Sequence, residues 1–262
     1  MPSRARKGED AGYFSPAPPR VLAHRGLALD APENTLLAFL HAVNAGASHI
    51  ETDVNGSADG IAMVSHDADL KRVAGRDVRV NQLTASELRR VSLGAGQGFC
   101  SLAEALDAFP DTRFNIDVKS ADAVAGTIKA VRDARATDRV LIGSFSTARR
   151  LAVVRELPGV STSVSAGGAL TAAHAARAGA MRLLRRVLAG VDAVQLPVKV
   201  GGASIATERA IRNFHAAGVE VHIWTINEPA EMRRLLELGV DGIVTDRADL
   251  ALPIVAERRR PR

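Results

Sequence analysis

The chain has 262 residues, 47% of them hydrophobic and only 3% aromatic, with a formal net charge of +5. That length and apolar content suit one large α/β domain able to bury a core without staples, and the single cysteine, Cys100, excludes an internal disulfide and fits a reducing compartment. No run approaches the roughly 18 apolar residues of a membrane-spanning helix, and so few aromatics leave little for base stacking, so neither stable membrane insertion nor nucleic-acid binding is expected.

Residues 1–19 read as a disordered arm, basic at Arg4, Arg6 and Lys7 and ending in the Pro-rich stretch Ser15–Pro19. The first residues lack the apolar core and cleavage site of a signal peptide, which makes a cytoplasmic location the expectation. From residue 20 to 255, short apolar runs alternate with amphipathic stretches, the rhythm of parallel βα units. Strand runs fall at Val21–His24, His49–Val54, Phe114–Val118, Val140–Ser144, Ser161–Ser165, Ala193–Leu196, Val221–Thr225 and Gly242–Thr245. Helical patterns include Thr35–Asn44, Ala123–Ala134, Ala148–Glu156, Thr207–Ala217, Ala230–Leu238 and Leu250–Glu257. Eight such units in one chain of this size predict a closed TIM (β/α)8 barrel.

One run, Ile61–Ser65, follows the second strand too closely for a parallel crossover and must fold back as a hairpin. With Ser57–Gly60 as its loop, Asp53 would oppose Val64 and Glu51 would oppose His66. Residues 68–99 lose the βα rhythm and read as a small inserted lobe, a candidate wall of the substrate pocket, with a capping box at Thr84-Ala85-Ser86-Glu87. Another helix begins near Ser101. Residues 256–262 read as a frayed basic tail.

In such a barrel the functional groups sit at the C-terminal ends of the strands. The first strand ends in His24-Arg25-Gly26, a proton-transfer group beside an anion clamp, although a turn followed by the Asn34 or Thr35 cap reads equally well. Alternation along the second strand sends Glu51 and Asp53 to the barrel axis while Ile50 and Val54 point to the helices. On the third strand Asn115, Asp117 and Lys119 face inward by the same rule. Neighbouring strands lie about 4.8 Å apart, so three carboxylates meet there and would raise one another's pKa. Lys119 offsets one charge; a divalent cation would offset the rest, and all-oxygen ligands favour Mg²⁺ or Ca²⁺ over zinc. A buried salt-bridge network is the competing account. His24 and His66 then flank the carboxylates as an acid–base pair. Trp224, the only tryptophan, is placed to wall the pocket against the apolar part of a ligand. His222 reads as inner-layer packing, and His41, His49, His174 and His215 carry no functional reading.

Taken in order, His24-Arg25-Gly26, Pro32-Glu33-Asn34-Thr35, Glu51-Thr52-Asp53, His66-Asp67, Ile116-Asp117-Val118-Lys119, Ser144-Phe145, Trp224-Thr225-Ile226-Asn227 and Gly242-Ile243-Val244-Thr245-Asp246 resemble the glycerophosphodiester phosphodiesterase family over roughly residues 20–255. The resemblance implies metal-dependent hydrolysis of small glycerophosphodiesters to glycerol 3-phosphate and an alcohol. It implies Mg²⁺ or Ca²⁺ held by Glu51, Asp53 and Asp117, phosphate bound by Arg25 and Lys119, His24 as base and His66 as acid. This chain departs from the family pattern at Asp117, where glutamate is usual, and at Cys100-Ser101, where the family often has a Pro-Thr pair. The shorter aspartate could reach a metal only through water.

Two other roles are open to the same residues. A lysophospholipase D or sphingomyelinase-D-like enzyme would need an apolar rim at the barrel mouth, for which Gly168–Ala189 is the candidate segment. A non-catalytic phosphate-ligand binder would tolerate loss of a histidine or a metal carboxylate, and none is lost outright. The preferred alcohol and the oligomeric state are not legible in the chain.

Overall fold

A computed structural model describes residues 12–200 and 203–259. Eight parallel strands form the barrel wall: β1 (Arg20–His24), β2 (His49–Gly56), β3 (Arg113–Val118), β4 (Val140–Gly143), β5 (Ser161–Thr162), β6 (Ala193–Pro197), β7 (Glu220–Trp224) and β8 (Gly242–Thr245). Their order is β5-β4-β3-β2-β1-β8-β7-β6, and a single parallel bridge between Ser163 and Ala193 brings the two ends together. The expected TIM barrel is therefore present and nearly closed. Around it lie α1 (Leu36–Asn44), α2 (Leu102–Ala108), α3 (Ala123–Asp133), α4 (Thr147–Glu156), α5 (Ala166–Ala178), α6 (Met181–Val187), α7 (Glu208–Ala216), α8 (Pro229–Glu237) and α9 (Ala248–Arg259). No helix among the described residues is long and apolar enough to cross a membrane.

The core lies between the strands' outer faces and this helical ring. Ile50, Val54, Phe114, Ile116 and Ile142 are fully buried there against residues such as Phe39, Leu102 and Val131. Alternation sends the polar residues of the same strands to the axis, as the sequence pattern requires. Low in the barrel, Gln195 donates to Asn115 at 3.1 Å and lies 3.4 Å from His222 Nδ1, while Glu220 pairs with both His222 and Arg20. His222 thus belongs to a polar layer rather than to plain packing.

The segment expected to be a disordered arm is ordered over its final residues. Tyr13 is 1% exposed and meets His49 edge-on, and its carbonyl lies 2.7 Å from His49 Nε2. Together with Phe14 it packs on Leu141 and Ala193, so an aromatic plug covers the barrel's lower end. Residues 1–11 lie outside the described residues. At the other terminus α9 runs on to Arg259, which donates to the carbonyls of Ala17 and Pro19; residues 256–259 are helix rather than frayed tail, and residues 260–262 are outside the description.

The hairpin after β2 exists but is shifted by one residue. Its return strand, Ala62–Val64, pairs Val54 with Val64 and Gly56 with Ala62. The turn spans Ser57–Ile61, closed by Ser57 N donating to Ile61 O and Ile61 N donating to Ser57 Oγ, both at 2.9 Å. Including Ile61 in the turn lengthens the expected loop by one and moves the register with it. Ser65, not Val64, faces Asp53 through its amide, and His66 lies beyond the ladder rather than opposite Glu51.

The inserted lobe has its own small core of Leu70, Val80, Leu88, Val91 and Phe99 around Met63. The expected capping box is formed: Thr84 accepts from Glu87 N, and Glu87 accepts from Thr84 N. Asp59 of the hairpin turn accepts from Ala85 N at 2.9 Å and so ties the lobe to the barrel mouth.

Candidate active site

The upper ends of β1, β2, β3 and β8 converge on one polar cluster. Beyond His24 the chain reverses sharply at Arg25 and Gly26, both at positive φ (56° and 87°). A Cβ on Gly26 would lie 2.6 Å from the Ala38 backbone, so only glycine allows this approach to α1. Thr35, not Asn34, is the helix cap, accepting from Ala38 N. Asn34 is thereby free to donate to Asp53 Oδ2 at 3.1 Å.

Glu51 and Asp53 are 7% and 1% exposed, and β2 and β3 lie in register so that Asp53 pairs with Asp117. Lys119 bridges the two aspartates, 2.9 Å from Asp53 Oδ1 and 2.7 Å from Asp117 Oδ2. Arg25 Nε lies 3.2 Å from Asp53 Oδ2, an ion pair by distance that is not aligned as a hydrogen bond. Burial raises the pKa of Asp53, yet Lys119 and Arg25 outweigh it and hold the carboxyl below its usual range. Around Glu51, His24 and Lys119 offset only part of the opposing effects. Burial and the charge of Asp53 push its pKa well up. Burial also raises Asp117 despite Lys119, and Asp117 Oδ1 is buried without a hydrogen-bond partner.

These observations bear on a metal. Two carboxylates held reluctant to ionise and one orphaned carboxylate oxygen are what an oxygen-ligated divalent cation would relieve, so the residues fit one. Among the described residues no three His, Cys, Asp or Glu side chains form a ready-made metal cage; Asp53 is instead occupied by Lys119, Arg25 and Asn34.

Each histidine has its own carboxylate. His24 Nδ1 lies 2.6 Å from Asp246 Oδ1, and its Nε2 faces Glu51 at 3.8 Å. An ionised carboxylate only accepts, so Nδ1 carries the proton and Nε2 of the neutral ring has a free lone pair. Burial favours that neutral ring, but the Asp246 hydrogen bond and the charge of Glu51 outweigh it and raise the His24 pKa. Asn227 fixes Asp246 in turn, donating to Oδ2 at 2.7 Å and accepting from the Asp246 amide. His66 Nδ1 lies 2.8 Å from Asp67 Oδ1. Asn55 Nδ2 donates to the carbonyls of Ser65 and Asp67 at 3.0 and 3.1 Å, which sets the His66 turn on β2. Arg72 of the lobe then joins both halves: 2.6 Å from Asp67 Oδ2 and 2.6 Å from Glu33 Oε1, which also pairs with Arg25 at 2.9 Å.

Trp224 stands on the opposite rim, edge-on to Phe145 at 6.3 Å, and the Lys119 ammonium sits 5.6 Å from the Phe145 ring. Phe145, at 59% exposure, is the most exposed large apolar side chain among the described residues. The segment Gly168–Ala189 folds as most of α5 and α6, with Leu170 and Leu183 exposed.

The model of the glycerophosphoryl diester phosphodiesterase family matches residues 24–250, a span that holds every group just described. The chain belongs to this family. As a glycerophosphoryl diester phosphodiesterase family member it is a phosphoric diester hydrolase. It is 41% identical over 240 residues to a probable glycerophosphodiester phosphodiesterase 2 of Mycobacterium tuberculosis, covering 91% of each chain. Among solved structures it resembles the glycerophosphodiester phosphodiesterase of Thermotoga maritima, with 27% identity, a TM-score of 0.70, and coverage of 89% of this chain and 97% of that one. It shares its fold with a phosphodiesterase of Oleispira antarctica solved with the product sn-glycerol-3-phosphate, at a TM-score of 0.76, 23% identity, and coverage of 91% and 97%.

All the expected site residues except Trp224 therefore lie on β1, β2 or β3, directly after β1 or β3 (Arg25, Lys119), or just past the hairpin's return strand (His66), in one cluster, with Trp224 across the mouth. Sequence reasoning quoted Glu33, Asp67, Asn227 and Asp246 within its motifs without giving them roles, and it missed Arg72. Asp246 was within reach: in a closed barrel β8 borders β1, and the observed pairing of Ala23 with Thr245 puts His24 level with Asp246.

Proposed function

We propose that the chain hydrolyses glycerophosphodiesters to glycerol 3-phosphate and an alcohol in a divalent-metal-dependent reaction. The observation that carries this reading is the pair of histidines, each oriented by its own carboxylate, beside three carboxylates and two cationic side chains. Arg25 and Lys119 bind the phosphoryl oxygens, since both already sit against anionic oxygen at the cluster. His24, held by Asp246, takes the proton of the attacking hydroxyl at Nε2; that hydroxyl is water, which gives glycerol 3-phosphate directly, or the glycerol's own 2-hydroxyl, which gives a cyclic phosphodiester that water then opens to glycerol 3-phosphate. As the P–O bond to the alcohol breaks, His66, held by Asp67, protonates the leaving oxygen. Glu51, Asp53 and Asp117 would hold a divalent cation, Mg²⁺ or Ca²⁺, which would neutralise these carboxylates and polarise the phosphoryl group. Trp224 and Phe145 wall the site on the Lys119 side.

The exposed Phe145 beside Trp224 favours one second reading, a lysophospholipid whose acyl-bearing part lies on that rim. The test is hydrolysis of glycerophosphocholine and lysophosphatidylcholine with Mg²⁺, Ca²⁺ or EDTA. Activity on glycerophosphocholine that EDTA abolishes and either cation restores is expected. Activity indifferent to chelation overturns the metal assignment, and full activity in His24→Ala or His66→Ala overturns the acid–base pair.

A further inference from the structure

A cavity of about 180 Å³ opens between the inserted lobe, the end of the hairpin's return strand and the loop after β1, beside the carboxylate cluster. His66, Glu33 and Asn34 line its inner end. Asn34 is bonded to Asp53 and Glu33 to Arg25, so the cavity shares a wall with the cluster. Its outer walls come from Val64 on the hairpin and from Val73, Leu93 and Phe99 around the lobe. Lys119, Phe145 and Trp224 take no part in it.

We propose that this cavity is the subsite for the leaving alcohol, and that it selects a compact alcohol with an apolar body. The inference rests on the reading of His66 as the acid. With Nδ1 turned to Asp67, the atom of His66 left to serve the leaving oxygen is Nε2. The group carried by that oxygen then continues past His66, and the cavity is the recess that His66 lines.

Size and lining define the class. A cavity of about 150 Å³ holds a benzene-sized guest, so this one seats an alcohol of about seven non-hydrogen atoms. The charges at its edge cancel: Arg72 is paired with Glu33 and Asp67, and Glu33 also with Arg25. The apolar walls cannot hydrogen-bond a ring of hydroxyls, and the polar lining groups Glu33, Asn34, Ser65 and Arg72 are already bonded within the protein, so burying such a ring there would be costly. Choline, whose charge is sheathed by three methyl groups, fits; inositol does not. Because the lobe has a core of its own, Val73 and Leu93 can vary the subsite without disturbing the barrel.

Three esters of glycerol 3-phosphate test this, carrying choline, methanol or inositol, with wild type, Val73→Trp, Leu93→Trp and Val73→Ala. Val73 and Leu93 are half-buried, so both tryptophans have room to turn. Wild type is expected to prefer choline to inositol by about tenfold or more in kcat/KM, the scale of a misfit worth about 1.4 kcal/mol. Each tryptophan variant is expected to lower the choline-to-methanol ratio about tenfold, and Val73→Ala to raise the inositol-to-choline ratio. Cleavage with ratios the same in all four proteins overturns the subsite and leaves the phosphodiesterase reading standing. Failure of wild type to cleave any of the three overturns both.

Discussion

Replacing Arg72 isolates the lobe's contribution to proton transfer. Its guanidinium bridges Asp67, which orients His66, and Glu33, which holds Arg25. The side chain is 49% exposed, so each ion pair contributes only about 0.2–1 kcal/mol to stability. Arg72→Ala is therefore expected to cost at most about 2 kcal/mol of folding free energy. The effect on chemistry should be larger. Loss of a partner that orients a functional histidine typically costs about 10–100-fold, within the about 10²–10⁴ that a proton transfer contributes in total. A 10–100-fold fall in kcat on glycerophosphocholine is thus expected. The assay compares it with a glycerol phosphate ester of p-nitrophenol, which leaves without needing a proton. On that ester kcat should barely change, while any loosening of Arg25 appears as the same rise in KM on both substrates. Arg72→Lys, with one compact ammonium in place of a fork, should restore only part of the loss. An equal fall in kcat on both esters would refute the argument, because it would mean that Arg72 does not act through His66.

Three further outcomes follow from the geometry. Asp246→Asn should invert the His24 tautomer, because an amide donor then faces Nδ1; kcat should fall by about 10²–10⁴ with KM little altered, and an unchanged kcat would remove Asp246 from the mechanism. Tyr13→Phe deletes a hydroxyl that is buried without a partner, so thermal stability should hold or rise by up to about 1 kcal/mol with activity unaffected; a lower melting temperature contradicts this. Burial raises the pKa of Glu220, but His222 and Arg20 outweigh it and leave it depressed. Its stabilisation is then present above the unfolded value of about 4.3 and is lost as pH falls through the folded one. Glu220→Gln should flatten the acid limb of melting temperature against pH, and parallel curves for the two proteins would contradict the assignment.

The barrel was legible because alternation is enforced on both faces of its strands. Ile50 and Val54 must meet helices and Glu51 and Asp53 must meet the axis, so one strand's sequence reports its own orientation. The carboxylate cluster followed from that rule applied to β2 and β3, whose in-register pairing puts Asp53 beside Asp117. The hairpin register failed by one residue, since only the turn's hydrogen bonds reveal that Ile61 belongs to it. Tyr13 was misread because its burial depends on a cap over β2, β4 and β6, which no local pattern encodes. Arg72 was invisible for a related reason: its partners Glu33 and Asp67 are far apart in the chain and meet only when the lobe folds over the mouth.

The wall of the barrel is not equally knit. β5 has two residues and reaches β6 through the lone Ser163–Ala193 bridge, whereas β2 and β3 stay in register from His49 with Arg113 to Val54 with Val118. Local opening follows the sparsest hydrogen bonding, so amide exchange should be fastest along the β5–β6 seam and slowest across β2–β3. His24, Glu51, Asp53 and Asp117 all lie on the tightly laced side. The protein can then breathe through its seam while the spacing of these four side chains stays constant, a division of labour between a rigid half that carries the polar cluster and a looser half that absorbs thermal motion.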